Sequence, residues 1–432
     1  MNTDHQKVYF YHLKKCGGTS LNGWLDLQVE DTAVWNSAWS ASVYRYVTGD
    51  VEAAHLAHVS EQHRAMAISA FYLSSIVHSH APMRQFVPPA TFSFTILRDP
   101  VSRLLSQISD WRRLGPADYV GVSNQYRECM EEAQRLRVQA FLEKHARGFG
   151  RQLLNNYFVR ALAASRLGML ATKIADPGDL LPIALESLER DFDVVGLAEH
   201  DEATRHLICA RLGWCPAVSI PRLNDTGSAS GLREEAEEAR AILAELTEHD
   251  AKLYARARAL FDSQCQDAGY YDIAAFESRG VIEAVRRLRA HDFNGRVAFS
   301  VREPVIGFGF HGRDAAGTPH CAVWTGPDTV SRLYMPVPAS AELSVCLWVR
   351  GYANEKLREQ LKIRVAGQPI SHRFESVDGY RDCIVADVST TRSFLSIEIE
   401  LETTVTSGES GQPGYDARRR GICLDRYGWS FR

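Results

Sequence analysis

Three short stretches of this chain carry residues that can do chemistry. In Lys14-Lys15-Cys16-Gly17-Gly18-Thr19-Ser20 the paired glycines let backbone N–H groups approach an anion, with lysine and two hydroxyls beside them. A helix starting at that turn would add the positive end of its dipole. The second stretch, LRDPVSRLLSQ, sets Arg98 at a strand end and Ser106 two helical turns into the helix that follows. A guanidinium and a hydroxyl placed there can hold a second phosphate group. The third is His78-Ser79-His80, where alternation along an extended segment puts both imidazoles on one side. At a strand end of an open α/β sheet such a histidine is placed to act as a general base. Each stretch also has a bland reading. GGTS turns mostly open helices, an arginine such as Arg98 can simply pair with an acid, Asp99 and Arg103 form an i,i+4 helix pair, and histidines often satisfy buried backbone groups.

The order of residues in the first turn narrows its chemistry. The loop of nucleotide triphosphatases reads GxxxxGK[ST], with lysine after the glycines, whereas Lys15 precedes them here. That order is wrong for an ATP or GTP site with a Mg²⁺-binding hydroxyl. Nor is a metal site expected elsewhere: His55, His58 and His63 lie in HLAHVSEQH, which has no cysteine, and read as a polar helix face. The 9 cysteines are odd in number and contain no CxxC, which argues against a disulfide framework or a cysteine-rich zinc site and fits a reducing compartment.

The elements that must position these residues follow from patterning. KVYFYHL (7–13) reads as a strand, the glycine turn follows, and LNGWLDL suits a short helix. TFSFTIL (91–97) reads as a second strand, after which Asp99 and Pro100 supply an N-cap and a first-turn proline. YLSSIV (72–77) and FDVVGL (192–197) are further strand candidates, and 180–190 reads as a helix. Residues 119–165 look mostly helical, and 234–261 forms one long charged amphipathic helix by its spacing. Strands that feed helices predict an α/β domain with a central parallel sheet flanked by helices, over residues 1–280. From about 285 glycine, proline and alternating apolar residues take over, as in VIGFGF, SRLYMPV and LSVCLWV, with turns at short intervals. Residues 290–432 are therefore expected to form an all-β sandwich, with a flexible loop near 410.

Composition sets the limits. With 432 residues, two or three domains are expected at ~150 residues each. Hydrophobic residues at 45% and charged residues at 24% are ordinary for a folded protein. A net charge of -4 gives no global attraction for nucleic acid or anionic lipid, so any anion must be held by a local site. MNTDHQKVYFYHL lacks a basic stretch followed by an apolar core, and no apolar run reaches the ~18 residues of a membrane helix. The expectation is a cytoplasmic protein without a transmembrane segment.

Together the two motifs resemble the sulfotransferases that use 3′-phosphoadenosine-5′-phosphosulfate (PAPS), in particular the heparan sulfate 2-O-sulfotransferase-like branch. That branch carries HxPKTGGTS and a later LRDPxxRxxS, and this chain reads HLKKCGGTS from His12 to Ser20 and LRDPVSRLLS from Leu97 to Ser106. Lys14 stands where the family has proline and Cys16 where it has threonine. His78-Ser79-His80 matches the family's HGH-like segment, and weaker echoes run through 155–163, LERDFDVVGLAEHDEAT and Arg222-Leu223-Asn224, so that the resemblance spans about residues 7 to 270. It implies a P-loop-like fold. It further implies that Lys15, Cys16, Gly17, Gly18, Thr19 and Ser20 bind the 5′-phosphosulfate, and Arg98 and Ser106 the 3′-phosphate.

By the same resemblance the reaction is in-line transfer of a sulfuryl group to an acceptor hydroxyl, without a metal. Lys15 would stabilise the leaving phosphate oxygen, His80 would serve as the base and His78 would assist or orient it. The carboxyl-terminal segment more loosely resembles a β-sandwich module appended to bacterial glycan-building enzymes. Trp324 or Trp429 could stack on sugar there, which tilts the acceptor toward a saccharide or glycolipid. Two other classes stay open: a P-loop kinase, which should show GK[ST] and a partnering Asp, and a non-catalytic nucleotide- or glycan-binding protein, which would keep the cradle and lose the base.

Overall fold

The computed structural model describes residues 7–28, 68–70, 91–115, 124–168, 171–172, 175–212, 214, 229–268, 281–282, 284–315, 318–406, 409 and 418–432. Its first half is built on a parallel sheet. Lys7–Tyr11 form β1, Ile68–Ala70 β2, Thr91–Leu97 β3 and Val194–Leu197 β4, bonded in the order β2-β1-β3-β4. All three pairings are parallel, as the strand-then-helix rhythm predicts. Phe10 lies opposite Phe94 in the ladder and their rings stack at 4.7 Å. Burying such a ring contributes ~2–3 kcal/mol, so this pair fixes the register of β1 against β3. Ser93 and Thr95 alternate with the phenylalanines and yet are buried, so both faces of the sheet are covered at this strand. Their hydroxyls are met by backbone carbonyls, Thr95 donating to Tyr11 at 2.9 Å and Ser93 to Thr91 at 3.5 Å, while the Ser93 N–H donates to Asp193 at 2.7 Å.

Helix α1 (Gly18–Gln28) follows β1 and α2 (Pro100–Arg113) follows β3. As the sequence predicts, Asp99 caps α2, accepting from the Ser102 N–H at 2.8 Å, and Pro100 occupies the first turn. The helical stretch beyond it resolves into α3 (Asn124–Arg135), α4 (Val138–His145), α5 (Arg151–Leu154) and α6 (Tyr157–Leu167). Helix α7 (Pro177–Arg190) leads into β4, and α8 (Asp201–Leu212) leaves it.

The long amphipathic stretch differs from its expected form. It is three helices, α9 (Ala229–Glu238), α10 (Arg240–Leu246) and α11 (Glu248–Asp267), because the backbone turns out of helix at Ala239 and Thr247. The second break has a clear cause. Asn156, in left-handed conformation, donates its N–H to the Leu246 carbonyl at 2.7 Å and accepts from the His249 and Asp250 N–H groups at 2.8 and 3.0 Å. Asp250 returns the exchange by accepting from Phe158 and Val159 N–H at 3.1 and 2.8 Å. The starts of α6 and α11 thus cap each other. One apolar cluster, from Val8 to Cys265, underlies this half of the chain.

The carboxyl-terminal half is β-rich and antiparallel. Its strands are β5 (His291–Phe293), β6 (Arg296–Ser300), β7 (Gly307–Phe308), β8 (Val323–Trp324), β9 (Val330–Pro336), β10 (Ala341–Tyr352), β11 (Lys362–Val365), β12 (Gln368–Ile370), β13 (His372–Glu375), β14 (Asp382–Thr390), β15 (Phe394–Glu400) and β16 (Ile422–Phe431). One sheet runs β13-β14-β10-β16-β6-β5 with β8 also on β16, the other β12-β11-β15-β9-β7. Both contribute to one apolar cluster, through Val345, Ile384 and Leu424 from the first and Leu333, Ile397 and Ile363 from the second, which is the build of a β-sandwich. Val305 reaches back to the first half, its N–H donating to the Leu27 carbonyl at 2.7 Å.

The two tryptophans considered for sugar stacking are partly buried. Trp324 lies 4.7 Å beneath the Arg420 guanidinium and donates to Asp314, and Trp429 donates to the Pro336 carbonyl. The cysteines among the described residues are buried and in no disulfide, and no helix there is long and apolar enough to cross a membrane. The strand candidate at 72–77 and most of the loop near 410 lie outside the described residues.

Candidate functional site

The chain leaves β1 at Tyr11, turns through Lys14 to Gly17 and enters α1 at Gly18. The two glycines are required for different reasons. Gly17 has φ +81, a conformation that costs any residue with a Cβ, and a Cβ there would meet nothing within 4 Å, so the space in front of it is open. At Gly18 a Cβ would lie 1.7 Å from His12 Nε2, so only glycine lets the helix start close against that ring. His12 is itself buried and stacks on Phe10 at 5.1 Å. Burial, and then the nearby Lys14 and Lys15, pushes its pKa down to about 4, so the ring is neutral at physiological pH.

Behind the turn stands Arg103, which is 1% exposed. Its Nε donates to the Lys14 carbonyl at 3.4 Å, its NH1 donates to the Leu153 carbonyl, and its guanidinium lies 3.9 Å over the Tyr157 ring. The Tyr157 hydroxyl in turn accepts the Lys14 N–H at 2.8 Å. The i,i+4 pairing with Asp99 that the sequence offers for Arg103 is therefore not what it makes. Asp99 caps α2, and its own N–H donates to Glu199 at 2.7 Å. Cys16 is buried with its Sγ 3.6 Å from the Lys14 carbonyl, and burial pushes the thiol up to about 12. A neutral buried thiol leaves that position only its backbone N–H to offer.

In front of the turn the two motifs meet. Arg98, leaving the end of β3, donates to the Lys15 carbonyl at 3.2 Å. Lys15, whose backbone is left-handed at φ 66, places Nζ 2.9 Å from Asp110 Oδ1 on α2. Ser106 lies half-buried on α2 between Arg103 and Asp110. Lys14 is half-buried too, and burial together with Arg103 lowers its pKa to about 8. Four cationic side chains, those of Lys14, Lys15, Arg98 and Arg103, thus lie at or against a glycine turn at a helix start, a setting for binding anions.

Of the residues singled out in the sequence, Lys15, Cys16, Gly17, Gly18 and Arg98 are brought together, with Ser106 on the same helix as Asp110. Thr19 and Ser20 fall in the first turn of α1, and nothing is described of their side chains. His78 and His80 lie outside the described residues, as do His55, His58 and His63. Sequence reasoning missed Tyr157, Asp110 and Glu199, and took Arg103 for a helix-surface partner of Asp99. The spacing signalled Asp110, one helical turn after Ser106. Nothing local signalled Tyr157 or Glu199, whose contacts are made across the fold.

A family model described as galactose-3-O-sulfotransferase matches residues 41–303, a span that contains Arg98, Ser106 and both histidines and begins after the first turn. Among solved structures the chain is similar to a sulfotransferase from Alicyclobacillus acidocaldarius at 17% identity, covering 59% of this chain and 96% of that one with a TM-score of 0.31. It is also similar to a family 35 carbohydrate binding module from Clostridium thermocellum at 16% identity, covering 29% of this chain and 91% of that one with a TM-score of 0.19. No curated protein matches in sequence.

Proposed function

The chain belongs to the galactose-3-O-sulfotransferase family, and from that premise we propose that it transfers a sulfuryl group from PAPS to a hydroxyl of a saccharide or glycolipid. The observation that carries this reading is the 3.2 Å hydrogen bond from Arg98 to the Lys15 carbonyl, which joins the two motifs into one anion-binding crevice. One nucleotide has an anion at each end, and a crevice with two adjacent cationic places suits it. The residues present fit such a donor: open space faces Gly17, N–H groups stand at the start of α1, and a guanidinium lies beside them.

Bound, the donor supplies an activated sulfuryl group. The turn from Lys15 to Ser20 holds its phosphosulfate end, and Arg98 with Ser106 holds the 3′-phosphate. Lys15 places positive charge where the leaving phosphate oxygen gains negative charge. His80 takes the proton from the acceptor hydroxyl, with His78 orienting it. The parallel order β2-β1-β3-β4, with the turn directly after β1, supports a P-loop-like reading of the domain. Two main apolar clusters, the second joined from the first half by Leu27, support a boundary at about residues 280–290, with the β-sandwich of 290–432 as an accessory domain.

The test incubates the full chain with PAPS, a panel of galactosides and uronic-acid saccharides, and a chelator. Donor-dependent sulfation with release of adenosine 3′,5′-bisphosphate is the expected result. Nucleotide binding without transfer to any acceptor would instead mark a binding module, and no nucleotide binding would sink the reading.

A further inference from the structure

Lys15 already has a partner before any anion arrives. Its Nζ lies 2.9 Å from Asp110 Oδ1, with the lysine side chain 17% and the aspartate 29% exposed. Asp110 is on α2, the helix that carries Ser106, and so lies within the region assigned above to the anionic ends of the nucleotide. The same Oδ1 accepts from Arg113 at 2.6 Å, an i,i+3 pair on the outer side of α2. One carboxylate is thus shared by a lysine of the glycine turn and an arginine of its own helix. An incoming anion that draws Lys15 must break the first contact but leaves the second in place.

We infer that Asp110 is a displaceable counter-ion of this site: it holds Lys15 until the nucleotide takes the lysine over, and then remains neutralised by Arg113. The inference rests on the donor reading above. Asp110 opposes binding twice, by competing for Lys15 and by setting a negative charge beside a polyanion. The affinity for donor and for spent nucleotide is therefore held below what the cationic cluster alone would give, which favours release of product. Arg113 acts in the opposite direction. By drawing the carboxylate away it makes Lys15 easier to release, and it does so only while Asp110 is charged.

The experiment is calorimetric titration of the full chain with adenosine 3′,5′-bisphosphate, in wild type, Asp110→Asn, Arg113→Ala, the double variant and Lys15→Ala, with thermal melts to check folding. Asp110→Asn should bind ~5-fold or more tightly, on the scale of a partly exposed charge interaction, and Arg113→Ala more weakly. In the Asp110→Asn background, adding Arg113→Ala should change affinity by less than about 2-fold. A merely structural Asp110 would weaken binding when replaced, and that result, or no change, overturns the inference. So does an Arg113→Ala effect of equal size in both backgrounds, which would place Arg113 on the nucleotide directly. Should Asp110→Asn fail to fold, Asp110→Ser carries the same expectation. If wild type binds and Lys15→Ala binds more weakly while Asp110→Asn is unchanged, this inference falls and the donor reading stands. If wild type does not bind the nucleotide, both fall.

Discussion

Replacing Gly18 by alanine tests whether the anion turn is fixed by its contact with His12. A Cβ at that position would lie 1.7, 2.2 and 2.3 Å from three atoms of the His12 ring, so the ring must retreat by more than an ångström. It has little room, being 4% exposed and stacked on Phe10. Forcing extra volume into a packed site costs ~1–3 kcal/mol, and the retreat would drag the segment leading into Lys14. His12→Ala alone should also destabilise, by roughly 2–3 kcal/mol, because it leaves a hole beside Phe10. In the double variant the new methyl occupies space the ring has left. The two losses should therefore fall short of additivity by ~1 kcal/mol or more. Gly17→Ala is the control: its cost of ~1–2 kcal/mol comes from the positive φ and should not be relieved by His12→Ala. Urea denaturation followed by tryptophan fluorescence reads the effect, since Trp24 and Trp214 pack at 6.0 Å within the same apolar cluster as Phe10. Strict additivity of Gly18→Ala and His12→Ala would refute the idea that this contact dictates the second glycine.

Arg98→Ala should weaken binding of adenosine 3′,5′-bisphosphate by ~1.5–3 kcal/mol, the magnitude of a charged hydrogen bond, and unchanged affinity in calorimetry would remove Arg98 from the site. His80→Ala should cut turnover ~10²-fold or more while leaving nucleotide affinity within about 2-fold, and wild-type turnover would take His80 out of the mechanism. His12 predicts a pH dependence: its pKa drops from 6.5 unfolded to about 4 folded, so its stabilisation is complete above pH 6.5 and is lost as pH falls toward 4. At ~1.4 kcal/mol per unit the loss approaches ~3 kcal/mol. Asp250, raised to about 6 by burial, contributes with the opposite sign, gaining as pH falls. That term is common to wild type and His12→Ala, so the difference between their stability profiles from pH 7 to 4 isolates His12; parallel profiles would contradict the assignment.

Local pattern made some of this architecture legible. β3 and the cap at Asp99 could be read directly, because a strand's alternation and a helix's start depend on neighbours in sequence. The break at Thr247 could not, since its cause is Asn156, the residue just ahead of another helix, which binds the Leu246 carbonyl. The long amphipathic pattern is real on either side of the break, and only a distant contact divides it. The site shows the same division. Glycines, lysine and the LRDP motif announce an anion turn, whereas Tyr157 and Glu199 look like ordinary residues until the fold brings them to Lys14 and Asp99. Arg103 was visible but misread, because an i,i+4 acid offers an obvious surface partner and nothing local reveals that the side chain points inward.

The contacts behind the site explain how two turns from separate βα units are held at a fixed separation. Helix α11 reaches both. Through Asp250 it caps the start of α6, whose first residue, Tyr157, accepts the Lys14 N–H and carries the Arg103 guanidinium. Through Tyr254, which donates to Glu199 at 2.9 Å, it steadies the acid that receives the Asp99 N–H at the start of α2. One route ends on the glycine turn and the other beside Arg98. Both consist of hydrogen bonds at normal distances; the first is withdrawn from water, so little of that geometry has to be built when an anion arrives, whereas the second runs through the exposed Glu199. What remains adjustable is the front, where Lys15, Asp110 and Arg113 exchange partners at partly exposed positions. A rigid back and an exchangeable front let the site hold a polyanion in one orientation without binding it too tightly to let the product go.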